Sequence, residues 1–423
     1  MSRNIIKMIL DDEIIFCENN AARMLHPSDR GFPFSPGEDN SPYLTICDLL
    51  AEMLFCGSCT GVDRTGTISN RFKYRVLTPI PEIPLIFTKS FNDICFERAQ
   101  EIVDLNKPIS IMWSGGIDST GALTPLMQTA LPEQITVLFE PRSLIEYPWF
   151  FENHIKGKLK YKILDQHINR YERNPNEILV TGQNGDQLFT NPVIFNNFKF
   201  KDILWVDIFD QPSLFYKKSI NQIRLMFKKQ SVRNYIRDNA QPFLDKSPFE
   251  IKTAFDFYWW VNFVIKWQGI EMVQNSLNST ITAEKYSFLY NFYNSTDFQL
   301  WSMVNHDLKV KDTKESYKYV IKDMIYNFTG DADYRDHKLK VSSGPTWFSN
   351  DIEVNNPEKL KEKIESGKVP SMVDASFNNF TYRELLDNRA GFEKIMNPIP
   401  EALLNQEVSC DENWINLNAM PVD

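Results

Sequence analysis

Glycine is scarce in this chain, at 16 in 423 residues, and cysteine and histidine are scarcer, at 6 and 5. Six irregularly spaced cysteines exclude a disulfide scaffold and fit a reducing compartment. Cys56 and Cys59 form a lone C-x-x-C, and no second pair follows to complete a four-ligand zinc site. Cys47 is the nearest third ligand; two ordinary cysteines is the simpler reading. The histidines (His26, His154, His167, His306 and His337) show no metal-ligand spacing. No apolar run reaches the length of about 18 residues that a membrane-spanning helix needs. Residues 1–16 carry acids inside their apolar stretch and lack a small-residue cleavage site, so no signal peptide and a cytoplasmic location are expected. Positive charge is in deficit, and a net charge of −9 argues against broad coating of nucleic acid, though a local basic groove stays open. Also missing are the Gly-Lys-Ser/Thr ending of a Walker loop, the G-x-G-x-x-G spacing of dinucleotide sites, and any Ser-His-Asp signature.

Hydrophobic residues, at 43%, suffice for a sizeable core, and 423 residues predict two or three domains. Residues 1–90 mix short apolar runs with Pro/Gly/Ser-rich turns and read as a small α+β section, closed by the prolines between 79 and 84. From residue 91 the pattern alternates. Helical spacing in "FNDICFERAQEIVDL" is followed by the apolar run "ISIMW". A helical "DSTGALTPLMQTAL", containing Pro125, comes next, then "ITVLF", the helical "EYPWFFENHIKG", "YKILD" and "EILVTG". Strands alternating with helices predict an α/β fold, a parallel sheet with flanking helices. From about residue 210 the chain reads as mostly helical. There "FDFYWWVNFVIKWQGIEMVQNSL" is read as a buried helix packing on the α/β core in preference to a base-stacking surface. Residues 346–423 form a C-terminal extension with one helix candidate, "NPEKLKEKIESG".

The scarce glycines are paired once in "SGGIDST", between a predicted strand and a predicted helix, where ligands of parallel sheets bind. Gly115 and Gly116 permit a tight turn and close approach of an anion. Backbone N–H groups at the helix start favour negative charge. Ser114, Ser119 and Thr120 add hydroxyls. A carboxylate, Asp118, among phosphate oxygens calls for a cation between them, and Mg²⁺ is commonly held by one or two carboxylates plus substrate phosphates.

This stretch resembles the S-G-G-x-D-S signature of the PP-loop, or N-type, ATP pyrophosphatases, matching at Ser114, Gly115, Gly116, Asp118 and Ser119. The resemblance implies an adenine nucleotide alpha hydrolase-like fold, ATP cleaved between its α and β phosphates, adenylation of a substrate oxygen, and release of pyrophosphate. "TGQNGDQLF" is similar to the S-G-E-G-x-D-E-L-F motif of the asparagine synthetase branch, through Gly182, Asp186, Leu188 and Phe189. On that likeness Asp118 and Asp186 would hold Mg²⁺. "VLFE" would line the adenine pocket at Phe139, with plain core packing as the other reading. "NFYNSTDFQLW" and "YRDHKLKVSS" are similar to the family's P-F-L-D-x-x-L-V-E and R-x-K segments. The second of these implies a lysine at the α-phosphate, Lys340 first and Lys338 second, with a solvated surface lysine as the bland alternative.

Three departures qualify the likeness. Ser2 stands where the glutaminase nucleophile would follow the initiator methionine, and the roughly 90 residues before the PP-loop section are too few for that domain, so no glutaminase is expected. Gln183 and Gln187 replace two family acids. Gln183 can donate and accept hydrogen bonds but cannot act as a base, which implies an unusual acceptor. The gap between Asp118 and Asp186 is also short for an asparagine synthetase. The expected activity is an ATP- and Mg²⁺-dependent, AMP-forming ligase joining a small-molecule carboxylate to an amine or ammonia. The alternatives are a PP-loop enzyme that activates a nucleobase or nucleotide for amination or thiolation, with a nucleic-acid acceptor, and a non-catalytic nucleotide sensor. Abundant Phe, Tyr and Asn resemble an AT-rich coding source, a phage or a low-GC bacterium, and a phage origin would place the protein in a host cytoplasm.

Overall fold

The alternating stretch from residue 91 builds the sheet that the pattern predicts. The computed structural model describes residues 7–10, 13–17, 45–53, 61–68, 74–140, 143, 146–164, 171, 174, 176–190, 201–210, 227, 229–276, 289–311, 316–338 and 407–408. The chain divides into two units. One comprises residues 89–183, 287–293 and 308–423; the other comprises 1–88, 184–286 and 294–307.

The first unit holds a six-stranded sheet. Its strands are β1 (Ile109–Met112), β2 (Ile135–Phe139), β3 (Lys160–Ile163), β4 (Ile178–Thr181), β5 (Leu289–Asn291) and β6 (Glu407–Val408), in the order β5-β4-β1-β2-β3-β6. β1 to β5 run parallel, and β6 adds antiparallel to β3. Both central strands, β1 and β4, are buried along their length, as expected of parallel strands covered on both faces. Ser110, buried inside β1, is satisfied by donating to Glu177 Oε2 at 2.6 Å. Met112, Leu138, Leu164 and Leu179 pack into one apolar cluster.

Helices α1 (Phe91–Val103), α2 (Ile117–Thr129) and α3 (Tyr319–Thr329) pack on one another, and α4 (Ala332–His337) follows α3. α1 starts on a capping box: Ser90 Oγ accepts from Asp93 N (3.1 Å), and Ser90 N donates to Asp93 Oδ2 (3.3 Å). α2 runs through Pro125 without ending. The predicted helix at 146–157 is a short α-turn, Pro148–Phe150, continuing as a π-helix, Phe151–Ile155.

The second unit holds a hairpin of Lys7–Leu10 and Glu13–Cys17 and the helices Ile46–Met53, Gly185–Phe189, Gln230–Asn239, Ala254–Ile265, Trp267–Ser276 and Thr296–Val304. The aromatic stretch is two helices, broken at Lys266, with Trp259, Trp260, Phe263 and Trp267 fully or almost fully buried. Its first helix packs against Ile46–Met53, Gly185–Phe189 and residues 205–210. Residues 184–286 and 294–307 share a unit with residues 1–88, while the helices Tyr319–Thr329 and Ala332–His337 belong to the unit of the sheet. The helix candidate at 356–367 lies outside the described residues. Among those described, no helix is long and apolar enough to cross a membrane.

Two stability outcomes follow. Gly121 lies where α2 meets α3; a β-carbon there would stand 2.4 Å from Ile321 Cγ2 and 2.6 Å from Tyr293 Oη. Glycine to alanine inside a helix ordinarily gains about 1 kcal/mol. Here Gly121→Ala should instead lose about 1–3 kcal/mol to overpacking in urea unfolding. His154 lies among Trp149, Phe150 and Phe328, with ring centroids 5.0–5.2 Å away. Burial first, then Lys158, lowers its imidazole from 6.5 to about 4, against an opposite pull from Asp331. The unfolded ring gains a proton at a pH where the folded ring does not, so this contribution is full above pH 6.5 and is lost as pH falls toward 4. The urea midpoint should drop between pH 7 and 5, and His154→Phe should remove part of that slope; an equal slope in the variant would count against this assignment.

Candidate functional site

β1 and β4 are neighbours whose following segments form the two glycine turns, at the carboxyl edge of the sheet where ligands of such folds bind. The first turn is held by its own hydroxyls. Ser114 N donates to Ser119 Oγ (3.1 Å), the Ser114 and Ser119 hydroxyls are 3.0 Å apart, and Ser119 Oγ reaches Gly116 O at 3.2 Å. The two glycines differ in kind. Gly115 has φ +73°, and a β-carbon on it would stand 2.6 Å from Ser143 O and 2.7 Å from Glu146 Cβ. Gly116 has an ordinary extended backbone, and its only near neighbour is Ser114 Oγ at 3.3 Å. Gly116 is the N-cap of α2 and supplies no side-chain cap, so the first turn of α2 presents its backbone amides without one. Ser114 is exposed, and Gly116 and Asp118 are half-buried.

The second turn meets the first by backbone. A β-carbon on Gly182 would lie 2.8 Å from Ser119 N and 2.9 Å from the carbonyl carbon of Asp118. The Thr181 hydroxyl fixes this turn, donating to Asn291 Oδ1 (2.6 Å) and accepting from Gln183 N (3.2 Å). Asn184 follows with φ +68°. It stands at the second glycine of the S-G-E-G motif, and asparagine is among the few side chains that tolerate this left-handed backbone.

One buried lysine reaches the first turn, and another reaches Glu146 behind it. Lys318, fully buried and itself left-handed at the N-cap of α3, donates through Nζ to Asp118 Oδ1. Tyr293 Oη donates to Asp118 O at 3.0 Å. Lys338, directly after α4 and buried, donates through Nζ to Glu146 Oε1. Lys322 Nζ, also buried, donates to Lys338 O at 3.3 Å. Burial first, and neighbouring acidic groups after it, hold the Tyr293 and Tyr334 hydroxyls well above their ordinary range, so both stay neutral.

The sequence-predicted residues fare differently. Ser114, Gly115, Gly116, Asp118, Ser119, Gly182 and Gln183 come together at the two turns. Thr120 does not join them at the surface. It is fully buried, and its hydroxyl accepts from Trp113 Nε1 (3.0 Å). Phe139 is a core residue: its ring is fully buried and enclosed by Trp113, Phe151 and Tyr161 at 5.4–5.8 Å. Asp186 opens the helix Gly185–Phe189, in the unit that does not contain Asp118. Lys340, Cys56 and Cys59 lie outside the described residues, while Cys47 is buried in Ile46–Met53. Among the described residues no group of three or more His, Cys, Asp or Glu is placed to hold a metal. Lys318 and Glu146 were missed. Neither falls in a motif, and only the packing of α3 on α2 and the turn after β2 bring them here.

No protein-family model and no curated protein matches the chain.

The two glycines should separate on substitution. Gly115→Ala should lose at least about 1–2 kcal/mol from the left-handed backbone alone, with the Ser143 contact adding to it. Gly116→Ala should stay within about 0.5 kcal/mol of the parent. Equal urea midpoints for the two variants would contradict the turn geometry.

Proposed function

We propose that the chain is an ATP-dependent, AMP-forming ligase of the PP-loop pyrophosphatase kind, similar to asparagine synthetase without its glutaminase. It would adenylate a carboxylate and pass the acyl group to an amine or ammonia in a reducing, cytoplasmic setting. The observation that carries this reading is the delivery of two buried ammonium groups, Lys318 and Lys338, to side chains that flank the glycine turn after β1. Cleavage between the α and β phosphates places developing charge on the leaving pyrophosphate and on the adenylate. Fixed cations in a site shielded from water stabilise such charge most. The strand order β5-β4-β1-β2-β3, with both turns at the point where the order reverses, supports the adenine nucleotide alpha hydrolase-like arrangement. The left-handed Asn184 supports the alignment of residues 181–189 with the synthetase motif.

Within this chemistry the Gly116 end of α2 and the Ser114 hydroxyl would receive phosphate oxygens. Lys338 is the catalytic lysine of the described residues. Gln183 can orient an incoming amine but not deprotonate it, so the nucleophile must arrive neutral or lose its proton to another group. Magnesium fits only with oxygens supplied by the nucleotide, since the described residues form no preformed cage. Asp118 would hold it, and when bound it neutralises phosphate charge. Lys318 Nζ already holds Asp118 Oδ1, so magnesium would have to bind at the other carboxylate oxygen or displace that ammonium.

The test is incubation with ATP labelled at the α-phosphate, magnesium and panels of carboxylates, amines and nucleobases. AMP and pyrophosphate should appear in equal amounts with the right acceptor. Asp118→Asn should slow their release by about 100-fold or more, the scale of losing one main electrostatic group. ADP and phosphate as products would overturn the reading. Tight ATP binding with no turnover on any acceptor would favour the sensor, and turnover only with nucleobases would favour the nucleotide-modifying alternative.

A further inference from the structure

Three contacts join residues 146–147, after β2, to residues 331–338. Tyr147 Oη donates to Asp331 Oδ2 at 2.9 Å. The Tyr147 ring stacks on Tyr334, with centroids 3.9 Å apart and planes 16° from parallel. Glu146 pairs with Lys338, their side chains 18% and 4% exposed. Glu146 also backs the glycine turn, because a β-carbon on Gly115 would stand 2.7 Å from its Cβ. One short segment thus touches both the proposed phosphate cradle and the proposed catalytic lysine. Two stacked tyrosines hold the backbones together, so the ion pair is not needed to join them. The carboxylate has a narrower task. A lysine side chain carries much rotamer freedom, and its ammonium acts at one place only if something holds it there.

We propose that Glu146 is a positioning residue. It holds the Lys338 ammonium on the segment that backs Gly115 and governs catalysis through that lysine, touching no substrate itself. The proposal rests on the reading of the site as one that cleaves ATP. Glutamine at 146 keeps the shape and one acceptor oxygen but loses the charge that fixes the ammonium. A misplaced lysine costs the transition state more than the ground state, so the defect should appear in kcat and not in KM for ATP.

The experiment compares pyrophosphate release by the full-length chain, by Glu146→Gln, by Lys338→Met, and by the double variant. Glu146→Gln should lower kcat about tenfold to a hundredfold, the scale of a small misplacement, with KM for ATP little changed. The double variant should be no slower than Lys338→Met alone, because Glu146 acts only through Lys338. Glu146→Asp, which keeps the charge, should recover part of the loss. Additive losses in the double variant, or a defect confined to KM, overturn the proposal while leaving the ATP reading intact. No pyrophosphate from the unaltered chain with any acceptor overturns both. A readout free of turnover guards against a variant that merely folds poorly. Modification of Lys338 by an amine-reactive reagent, followed by peptide mass spectrometry without ATP, should be several-fold faster in Glu146→Gln at an unchanged melting temperature. An unchanged rate overturns the holding contact itself.

Discussion

Gly182 lies so close to the first turn of α2 that no side chain fits between them, and this contact sets the geometry of the whole carboxyl edge. Adjacent parallel strands are about 4.8 Å apart, and where strand order reverses their following segments must separate at once. The chain leaving β4 passes against the backbone of Asp118 and Ser119, a packing only glycine permits. Asp118 is therefore placed by backbone contact and not by the flexible reach of a side chain. A second glycine extends the effect: Gly121, one turn on, lets α3 approach α2, and α3 begins at Lys318, the partner of Asp118. Two missing β-carbons thus decide which charges meet.

Stability alone does not account for those charges. A buried ion pair loses hydration that its Coulomb attraction often fails to restore, and an apolar pair of similar volume commonly serves as well. This unit nevertheless buries Lys318 against Asp118 and Lys338 against Glu146, and lays Lys322 on the carbonyl of Lys338. Two buried ammonium–carboxylate pairs thus stand close to a turn whose amides already favour anions. Such groupings concentrate at sites that handle charge. Tyr293 and Tyr334 are kept neutral, chiefly by burial, and add no charge of their own.

The sheet was legible because strands buried on both faces read as short apolar runs between glycine and proline. All four runs predicted between residues 109 and 182 are strands. The glycine turn after β1 was legible because glycine pairs are rare here and each residue type in "SGGIDST" has a physical use. What was not legible depends on contacts distant in sequence. Nothing local marks Lys318, which meets Asp118 across 200 positions, or Glu146, which meets Lys338 across 192. Phe139 was ambiguous because an apolar residue at a strand end can line a pocket or fill the core; the cluster of Trp113, Phe151 and Tyr161 decides for the core. The unit to which Ala254–Ile265 belongs was not legible, because unit membership depends on which apolar faces pair. Its aromatic face pairs with Ile46–Met53.

The two glutamines that stand where acids were expected are now distinguishable. Gln187 is buried, and its Nε2 donates to Asn262 Oδ1 at 3.3 Å, while Asn262 Nδ2 donates to the Asp186 carbonyl at 2.8 Å. A carboxylate at 187 would face that carbonyl oxygen of Asn262 without a proton to share and would carry the cost of an unpaired buried charge. Glutamine there is explained by the fold of its own unit and implies nothing about the acceptor. Gln183 is only half-buried, and its backbone is fixed by Thr181 beside the glycine that touches Asp118. Packing does not require an amide at that position. Under the proposed chemistry, the loss of a base at 183 thus bears on the nucleophile, which must arrive neutral or lose its proton to a group other than residue 183.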